Sequence, residues 1–146
     1  MQILDDFSLR RIPSQSPLSE LLWEKHPLGI QLDGVTLAHQ FRVPAGYLLL
    51  LTDDCPYEEE LNIYLLDEAY RLLDALELGA PYAAAVLSDV RPQGLRTLTF
   101  SFFGNECWRL EILTQPRIRL NFSLFSPVKR KTSFWSRRWL SLLQIA

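Results

Sequence analysis

Apolar and polar side chains alternate along most of the chain between residues 28 and 122. The clearest run carries its larger side chains at every second position: Val35, Leu37, His39, Phe41 and Val43. A period of two is typical of a β-strand that buries one face. Similar runs recur at even spacing, so we expect a mainly β protein with eight or nine short strands in this region.

Turn residues separate the expected strands. Asp33-Gly34 is the strongest hairpin signal, because a type I′ turn needs positive φ at both central residues. Strands joined by short turns pair most simply in sequence order, as an antiparallel meander. A meander of this length must protect its two edges, which favours a closed barrel or a two-sheet sandwich.

Two segments of the meander have less regular patterns. Tyr47 to Thr52 is apolar on both faces, so we expect this strand to lie centrally or to be covered. Tyr70 to Leu78 fits a helix as well as a strand, and its position between other strands favours a strand.

A short helix is predicted near the N-terminus, over residues 16–26. Ser16 can cap this helix, Pro17 suits its first position, and Pro27 would end it. The side chains that would form its apolar stripe are Leu18, Leu21 and Leu22.

A second helix is predicted at the other end, over residues 133–146. At about 100° per residue, its large apolar side chains share one half of the circumference. These side chains are Phe134, Trp135, Trp139, Leu142, Leu143 and Ile145. We expect this amphipathic helix either to pack on the β-domain or to contact a partner.

Size and composition indicate one globular domain, residues 1–146. Of the 146 residues, 48% are hydrophobic and 22% are charged, as in folded proteins rather than disordered ones. The N-terminus lacks the apolar segment of a secretory signal, and no apolar run reaches the roughly 18–20 residues that span a bilayer. Two cysteines make no disulfide framework. These observations favour a cytoplasmic protein.

Charge is distributed unevenly along the chain. Residues 1–90 hold 15 acids and 5 bases, whereas residues 91–146 hold 2 acids and 10 bases. The two parts can neutralise each other within the fold, or they can present surfaces of opposite sign to partners.

The most acidic stretch is the loop over residues 53–60. Its five carboxylates are Asp53, Asp54, Glu58, Glu59 and Glu60. Three roles are open: a calcium or magnesium site, a patch that binds a basic partner, and a solvated hairpin end that protects strand edges. The spacing and the central glycine of an EF-hand are absent, so a metal ion is the least favoured of the three.

Residues 117–138 form a basic tail with seven bases, no acid and several aromatic residues. From this end of the chain we expect four partner-binding residues: Trp135, Arg137, Arg138 and Trp139. The isoelectric point of 5.7 argues against a nucleic-acid-binding protein. A basic amphipathic helix with tryptophans would also suit an anionic membrane surface.

Residues with catalytic or metal-binding chemistry are sparse. Cys55 lies beside carboxylates rather than the cations that activate a catalytic thiol, and the two histidines lack zinc-ligand spacing. We therefore predict no catalytic residue, metal or cofactor. If the strands close into a barrel, four side chains are candidates to bind a small apolar ligand inside it: His39, Tyr47, Tyr64 and Trp108.

The pattern as a whole favours a non-catalytic protein-interaction domain of the bacterial adaptor or immunity-protein type. This domain would use the acidic loop, the basic tail or both. Its partner would be another protein or a second copy of the chain. A ligand-binding barrel is the alternative, and an enzyme with a dispersed site is the least favoured class.

Overall fold

The computed structural model describes residues 1–55, 58–80, 84–117, 127–131 and 137–146, and all its regular elements are β-strands. The strands are β1 (Gln2–Ile3), β2 (Phe7–Arg11), β3 (Leu18–Trp23), β4 (His26–Asp33), β5 (Thr36–Val43), β6 (Gly46–Thr52), β7 (Leu61–Asp67), β8 (Leu72–Leu78), β9 (Ser88–Pro92), β10 (Thr97–Ser101), β11 (Cys107–Arg117), β12 (Val128–Arg130) and β13 (Arg138–Gln144). Their pairing is antiparallel, which confirms the predicted fold class at this level. The described strands form open sheets, so the predicted alternative of a closed barrel is wrong.

The sheets stack in three layers. The central sheet has six strands in the order β1-β5-β6-β7-β8-β12. One face packs against the four-stranded sheet β13-β11-β10-β9, and the other packs against the three-stranded sheet β2-β3-β4. In β6, Leu48 and Leu50 face the first core whereas Leu49 and Leu51 face the second. The prediction that this strand lies centrally is therefore confirmed.

The predicted meander holds only within parts of the chain. Strands β5 to β8 pair in sequence order, and so do β9 to β11. Between these groups the chain passes from one sheet to another, because each face of the apolar central sheet needs its own cover. The strand predicted within residues 70–78 is confirmed as β8.

The helix predicted over residues 16–26 is wrong. Leu18–Trp23 forms β3, the middle strand of the three-stranded sheet, and a tight turn then leads into β4. The turn residues Glu24 and Lys25 both have positive φ, 47° and 68°, as a type I′ hairpin requires. Pairing on both sides of β3 outweighs the helical pattern of a segment that is too short to be a stable helix alone.

The helix predicted over residues 133–146 is also wrong where the structure describes it. Residues 132–136 lie outside the described residues, and Arg138–Gln144 forms β13, paired with β11. Leu140 and Leu142 face the first core, while Leu143 is exposed on the other face. Adjacent leucines fit both a helix and a strand, and the ladder with β11 selects the strand. The described part of the chain contains no helix that could cross a membrane.

Asp33-Gly34 is not the hairpin turn that its sequence predicts. These residues connect β4 in the three-stranded sheet to β5 in the central sheet. Gly34 has a φ of 119°, and a Cβ at this position would lie 2.8 Å from the Cβ of Leu51. The close approach to β6, together with the positive φ, explains why glycine stands here.

Two polar side chains of the central sheet fix the three-stranded sheet by binding its backbone. The Gln40 amide accepts the Phe7 N–H at 2.9 Å and donates to the Phe7 carbonyl at 3.1 Å. The Tyr64 hydroxyl accepts the Asp33 N–H at 2.9 Å and donates to the Asp33 carbonyl at 3.1 Å. Each side chain thus supplies the two hydrogen bonds that a neighbouring strand would supply.

The uneven charge of the chain is partly neutralised within the fold. Arg130 on β12 pairs with the buried Asp74 on β8. Lys131 lies 3.0 Å from the Asp33 carboxylate and 4.0 Å from that of Glu77. These contacts join the basic second part of the sequence to its acidic first part.

Candidate functional site

A cleft of about 480 Å3 opens at the end of the central sheet where β6 runs into β7. Its charged lining comes from three segments: Asp53, Glu58 and Glu60 on the β6–β7 connection, Glu77 on β8, and Lys129 on β12. We call these four carboxylates and the space between them the acidic cleft. In the described part of this lining, carboxylates outnumber lysines four to one, which gives the cleft a negative charge.

Strand pairing brings the carboxylates together. Leu61 at the start of β7 is opposite Thr52 on one side and Leu78 on the other. The end of β8 therefore lies beside the β6–β7 connection, although the two segments are well separated in sequence. Glu77 is opposite Asn62 in this ladder, which places its carboxylate at the cleft.

Glu60 and Glu77 form a carboxyl–carboxyl contact. The two side chains lie close enough to share a hydrogen bond, which forms when one of the two carboxyls carries a proton. Burial is the largest cause that raises the pKa of Glu60, the hydrogen bond to Glu77 and the charge of Glu77 add to it, Lys131 opposes them, and together they bring this pKa to about 7. Near neutral pH the carboxyl of Glu60 is therefore protonated in part of the molecules.

Asp53 is the second carboxyl of the cleft with a raised pKa. Burial, the largest cause, and the negative charge of Glu59 together raise the pKa of Asp53 to about 6. The side-chain amide of Asn62 donates to the Asp53 carboxylate at 3.4 Å. Two carboxyls of one cleft thus change their charge close to neutral pH.

The five predicted carboxylates of the acidic loop have different environments. Asp53, Glu58 and Glu60 line the cleft, whereas Asp54 is exposed and has a φ of 57°. Glu59 is buried, and its carboxylate accepts the backbone N–H of Asp53 at 2.7 Å. Glu59 therefore holds the connection in shape, while its neighbours face the open space.

Lys131 lies behind the cleft and was not identified from the sequence. Its ammonium donates to Asp33 at 3.0 Å, to the Tyr64 hydroxyl at 3.3 Å and to the Asn62 side-chain oxygen. An ammonium has three hydrogens, and three acceptors occupy them here. Lys131 therefore reduces the local negative charge without offering a free donor to a ligand.

The acidic cleft has the chemistry to receive a cationic group. Its carboxylates can accept charge-assisted hydrogen bonds from an ammonium or a guanidinium group. Within the described ranges, no group of three or more acidic, histidine or cysteine side chains is arranged to hold a metal ion. Cys55 is an exposed free thiol at the rim of the cleft.

The four residues predicted to line a barrel do not converge. Trp108 belongs to the first core, and Tyr47 and Tyr64 belong to the second, on opposite faces of the central sheet. His39 is half-buried on β5 and stacks on Phe41 with the ring centroids 6.0 Å apart; burial lowers the pKa of His39. Open sheets leave no barrel interior that could bring these side chains to one ligand.

The predicted residues of the basic tail lie apart from the cleft carboxylates, and Trp135 lies outside the described residues. Arg137 is exposed, and Arg138 and Trp139 are half-buried at the start of β13. The backbone N–H of Trp139 donates to Asp74 at 2.9 Å, which shows a structural role for this segment. The strand replaces the amphipathic helix on which a membrane-surface role would depend.

Comparison with known proteins identifies no relative: no protein-family model, curated protein or solved structure matches this chain. A functional assignment therefore depends on the residues of the cleft.

Proposed function

We propose that this chain is a non-catalytic protein-interaction domain that binds a basic segment of a partner protein in the acidic cleft. One observation carries the proposal: among the described residues, four carboxylates from two separate parts of the chain line one cleft. Among the described residues that line the cleft, Lys129 is the one base.

Converging carboxylates repel one another, and a bound cation relieves this repulsion. Two unit charges 4 Å apart at a protein surface interact by about 4 kcal/mol before desolvation is subtracted. The raised pKa values of Asp53 and Glu60 reflect burial and repulsion from neighbouring carboxylates. An arginine side chain suits the site because its planar guanidinium can bind a carboxylate through two parallel hydrogen bonds.

The volume and the negative charge of the cleft fit a protein partner. A volume of about 480 Å3 is enough for one or two long side chains. A negative cleft also accelerates the approach of a basic protein and disfavours acidic ones. These properties suit an adaptor or an immunity protein whose partner has a basic surface.

Binding of a hexa-arginine peptide to the full chain tests this proposal. Fluorescence anisotropy would measure the affinity. At an ionic strength of about 0.15 M, attraction between the peptide and distant charges of the protein is largely screened. In Glu58→Lys, an exposed lining carboxylate is replaced by a cation, and we expect a loss of affinity of at least about tenfold. Asp5→Lys makes the same change in net charge at an exposed position outside the cleft.

The control decides how a loss is interpreted. We expect Asp5→Lys to bind the peptide within about twofold of the wild-type affinity, because charges beyond a Debye length are screened. Equal losses in both variants would show that the peptide responds to net charge alone. Either that result or absence of binding by the wild type would refute the proposal.

Acid–base catalysis in the same cleft is a second candidate function. Two carboxyls with raised pKa values in a cleft, one of them beside a third carboxyl, are an arrangement that acid–base catalysts use. Incubation with denatured casein at acidic and neutral pH, with Glu77→Gln as the control, tests peptide hydrolysis. Casein fragments formed by the wild type but not by Glu77→Gln would favour this function over the first.

A further inference from the structure

The outer side of β13 is an edge of the four-stranded sheet, because β11 pairs only with its inner side. In an antiparallel ladder, the backbone groups of successive residues point alternately toward the partner strand and away from it. Ile145 donates its N–H to the Cys107 carbonyl at 2.8 Å and so points toward β11. The backbone groups of Leu140, Leu142 and Gln144 therefore point outward.

Side chains of described residues bind the outward backbone groups of Leu140, the first of these three residues. Leu140 donates its N–H to Asp74 at 2.9 Å, and its carbonyl accepts a hydrogen bond from Arg130 at 3.1 Å. Across the described ranges, no side chain binds the outward backbone groups of Leu142 or Gln144 in this way. The second half of β13 therefore offers two donors and two acceptors in a row.

The side chains of this edge are also unprotected. From Trp139 to Ala146 none carries a charge, and Leu143 and Ile145 are 53% and 46% exposed. Proteins usually protect strand edges with charges, prolines or caps. Other edge strands of the described sheets have such residues: Arg10 and Arg11 on β2, Pro27 on β4 and Pro92 on β9.

We propose that this edge pairs with the same edge of a second copy of the chain, about a two-fold axis at Leu143. In this antiparallel register, Leu142 of one copy lies opposite Gln144 of the other, and each such pair can exchange two backbone hydrogen bonds. Leu143 then lies opposite its own counterpart on the outer face of the sheet. The two four-stranded sheets become one continuous sheet of eight strands.

A second copy of the chain fits this edge because the edge is complementary to itself. An uncharged edge places no like charges opposite each other when it pairs with itself, and the exposed Leu143 finds an apolar partner. Pairing limited to residues 142–144 does not use the backbone groups of Leu140, which stay bound to Asp74 and Arg130. Two-fold pairing of identical surfaces is the commonest way in which soluble proteins form dimers.

The predicted dimer is weak. Each copy contributes a short stretch of one strand, so the interface belongs to the class below about 1,200 Å2 that forms reversible complexes. We therefore expect an equilibrium between monomer and dimer that depends on concentration.

Sedimentation velocity of the full chain over a series of concentrations tests this proposal. Leu143→Lys places two ammonium groups opposite each other at the axis, and we expect it to raise the dimer dissociation constant at least about tenfold. Leu95→Lys is the matched control, since Leu95 is 63% exposed between β9 and β10 of the same sheet. The control should dimerise like the wild type.

Amide hydrogen exchange gives a second readout at the backbone. The amides of Leu142 and Gln144 should exchange more slowly at high protein concentration than at low concentration, because the dimer protects them. A wild type that stays monomeric at every concentration would overturn the proposal. A dimer that persists in Leu143→Lys, or that leaves these two amides unprotected, would overturn it equally.

Discussion

The buried carboxylate of Asp74 on β8 accepts the backbone N–H of Leu140 on β13 at 2.9 Å. Arg130 forms an ion pair with the same carboxylate and donates to the Leu140 carbonyl at 3.1 Å. The pair thus supplies both hydrogen bonds that a neighbouring strand would give to Leu140. Through this contact the central sheet holds the edge of the four-stranded sheet, and the core between them stays closed.

Replacement of Asp74 should destabilise the protein strongly. Asp74→Ala leaves the Arg130 guanidinium without its counter-ion and the backbone N–H groups of Trp139 and Leu140 without an acceptor. Loss of one partner of a buried pair costs about 3–5 kcal/mol. Urea unfolding measures this loss as a lower transition midpoint.

The control for this prediction is Asp89→Ala. Asp89 forms an exposed ion pair with Arg91 at 3.7 Å, and exposed pairs contribute about 0–1 kcal/mol. If Asp74→Ala lowered the free energy of unfolding no more than Asp89→Ala, Asp74 would not fix β13 to the central sheet.

Gly34 should be required where the chain passes from the three-stranded sheet to the central sheet. Gly34→Ala would place a Cβ 2.8 Å from the Cβ of Leu51, in a core that leaves little room to adjust. Gly29→Ala is the matched comparison, because Gly29 also has a positive φ, 73°, but nothing lies within 4 Å of its added Cβ. We expect Gly34→Ala to cost about 1–3 kcal/mol more than Gly29→Ala. Equal thermal transitions in the two variants would contradict this explanation.

The carboxyls of the acidic cleft should make the protein less stable as pH rises. In the folded protein the pKa of Asp53 is raised from 3.8 to about 6, and that of Glu60 from 4.5 to about 7. Between these values the folded state holds more protons than the unfolded state, so the free energy of unfolding falls as pH increases. Their favourable contribution is complete below the unfolded pKa values and is lost above about pH 7.

The variant Glu60→Gln isolates this effect from other titrating groups. Glutamine resembles the protonated carboxyl and can still donate a hydrogen bond to Glu77. Relative to the wild type, Glu60→Gln should therefore gain stability as pH rises from about 5 to about 8, as urea midpoints would show. Asp5→Asn, at an exposed position outside the cleft, should follow the wild-type curve. Parallel curves for wild type and Glu60→Gln would contradict the raised pKa of Glu60.

The sequence predicts the strands well and their assembly poorly. The apolar residues of β6 on both faces correctly indicate a covered central strand, because hydrophobic periodicity is a local property. The two predicted helices failed because Leu18–Trp23 and Arg138–Gln144 have apolar positions that fit both periods. The conformation of both segments is determined by partner strands elsewhere in the chain. β2 and β4 pair with the first segment and β11 pairs with the second, and no local pattern contains this information.

The site was predictable only in part for the same reason. Charge density identified the acidic loop, and three of its five carboxylates line the cleft. Glu77 joins them only through its ladder position opposite Asn62. Lys131 binds Asp33, which is 98 residues away along the chain. Contacts of this kind follow from strand order, which turn residues do not specify.

Isothermal titration calorimetry of the full chain with hexa-arginine tests the central claim most directly. A cation that binds in the acidic cleft lowers the pKa values of Asp53 and Glu60, so binding at about pH 6.5 should release protons. The measured heat should then change with the ionisation enthalpy of the buffer, and this dependence should be reduced in Glu77→Gln. Heat that does not depend on the buffer, or absence of binding, would contradict the claim that the acidic cleft receives the basic segment of a partner.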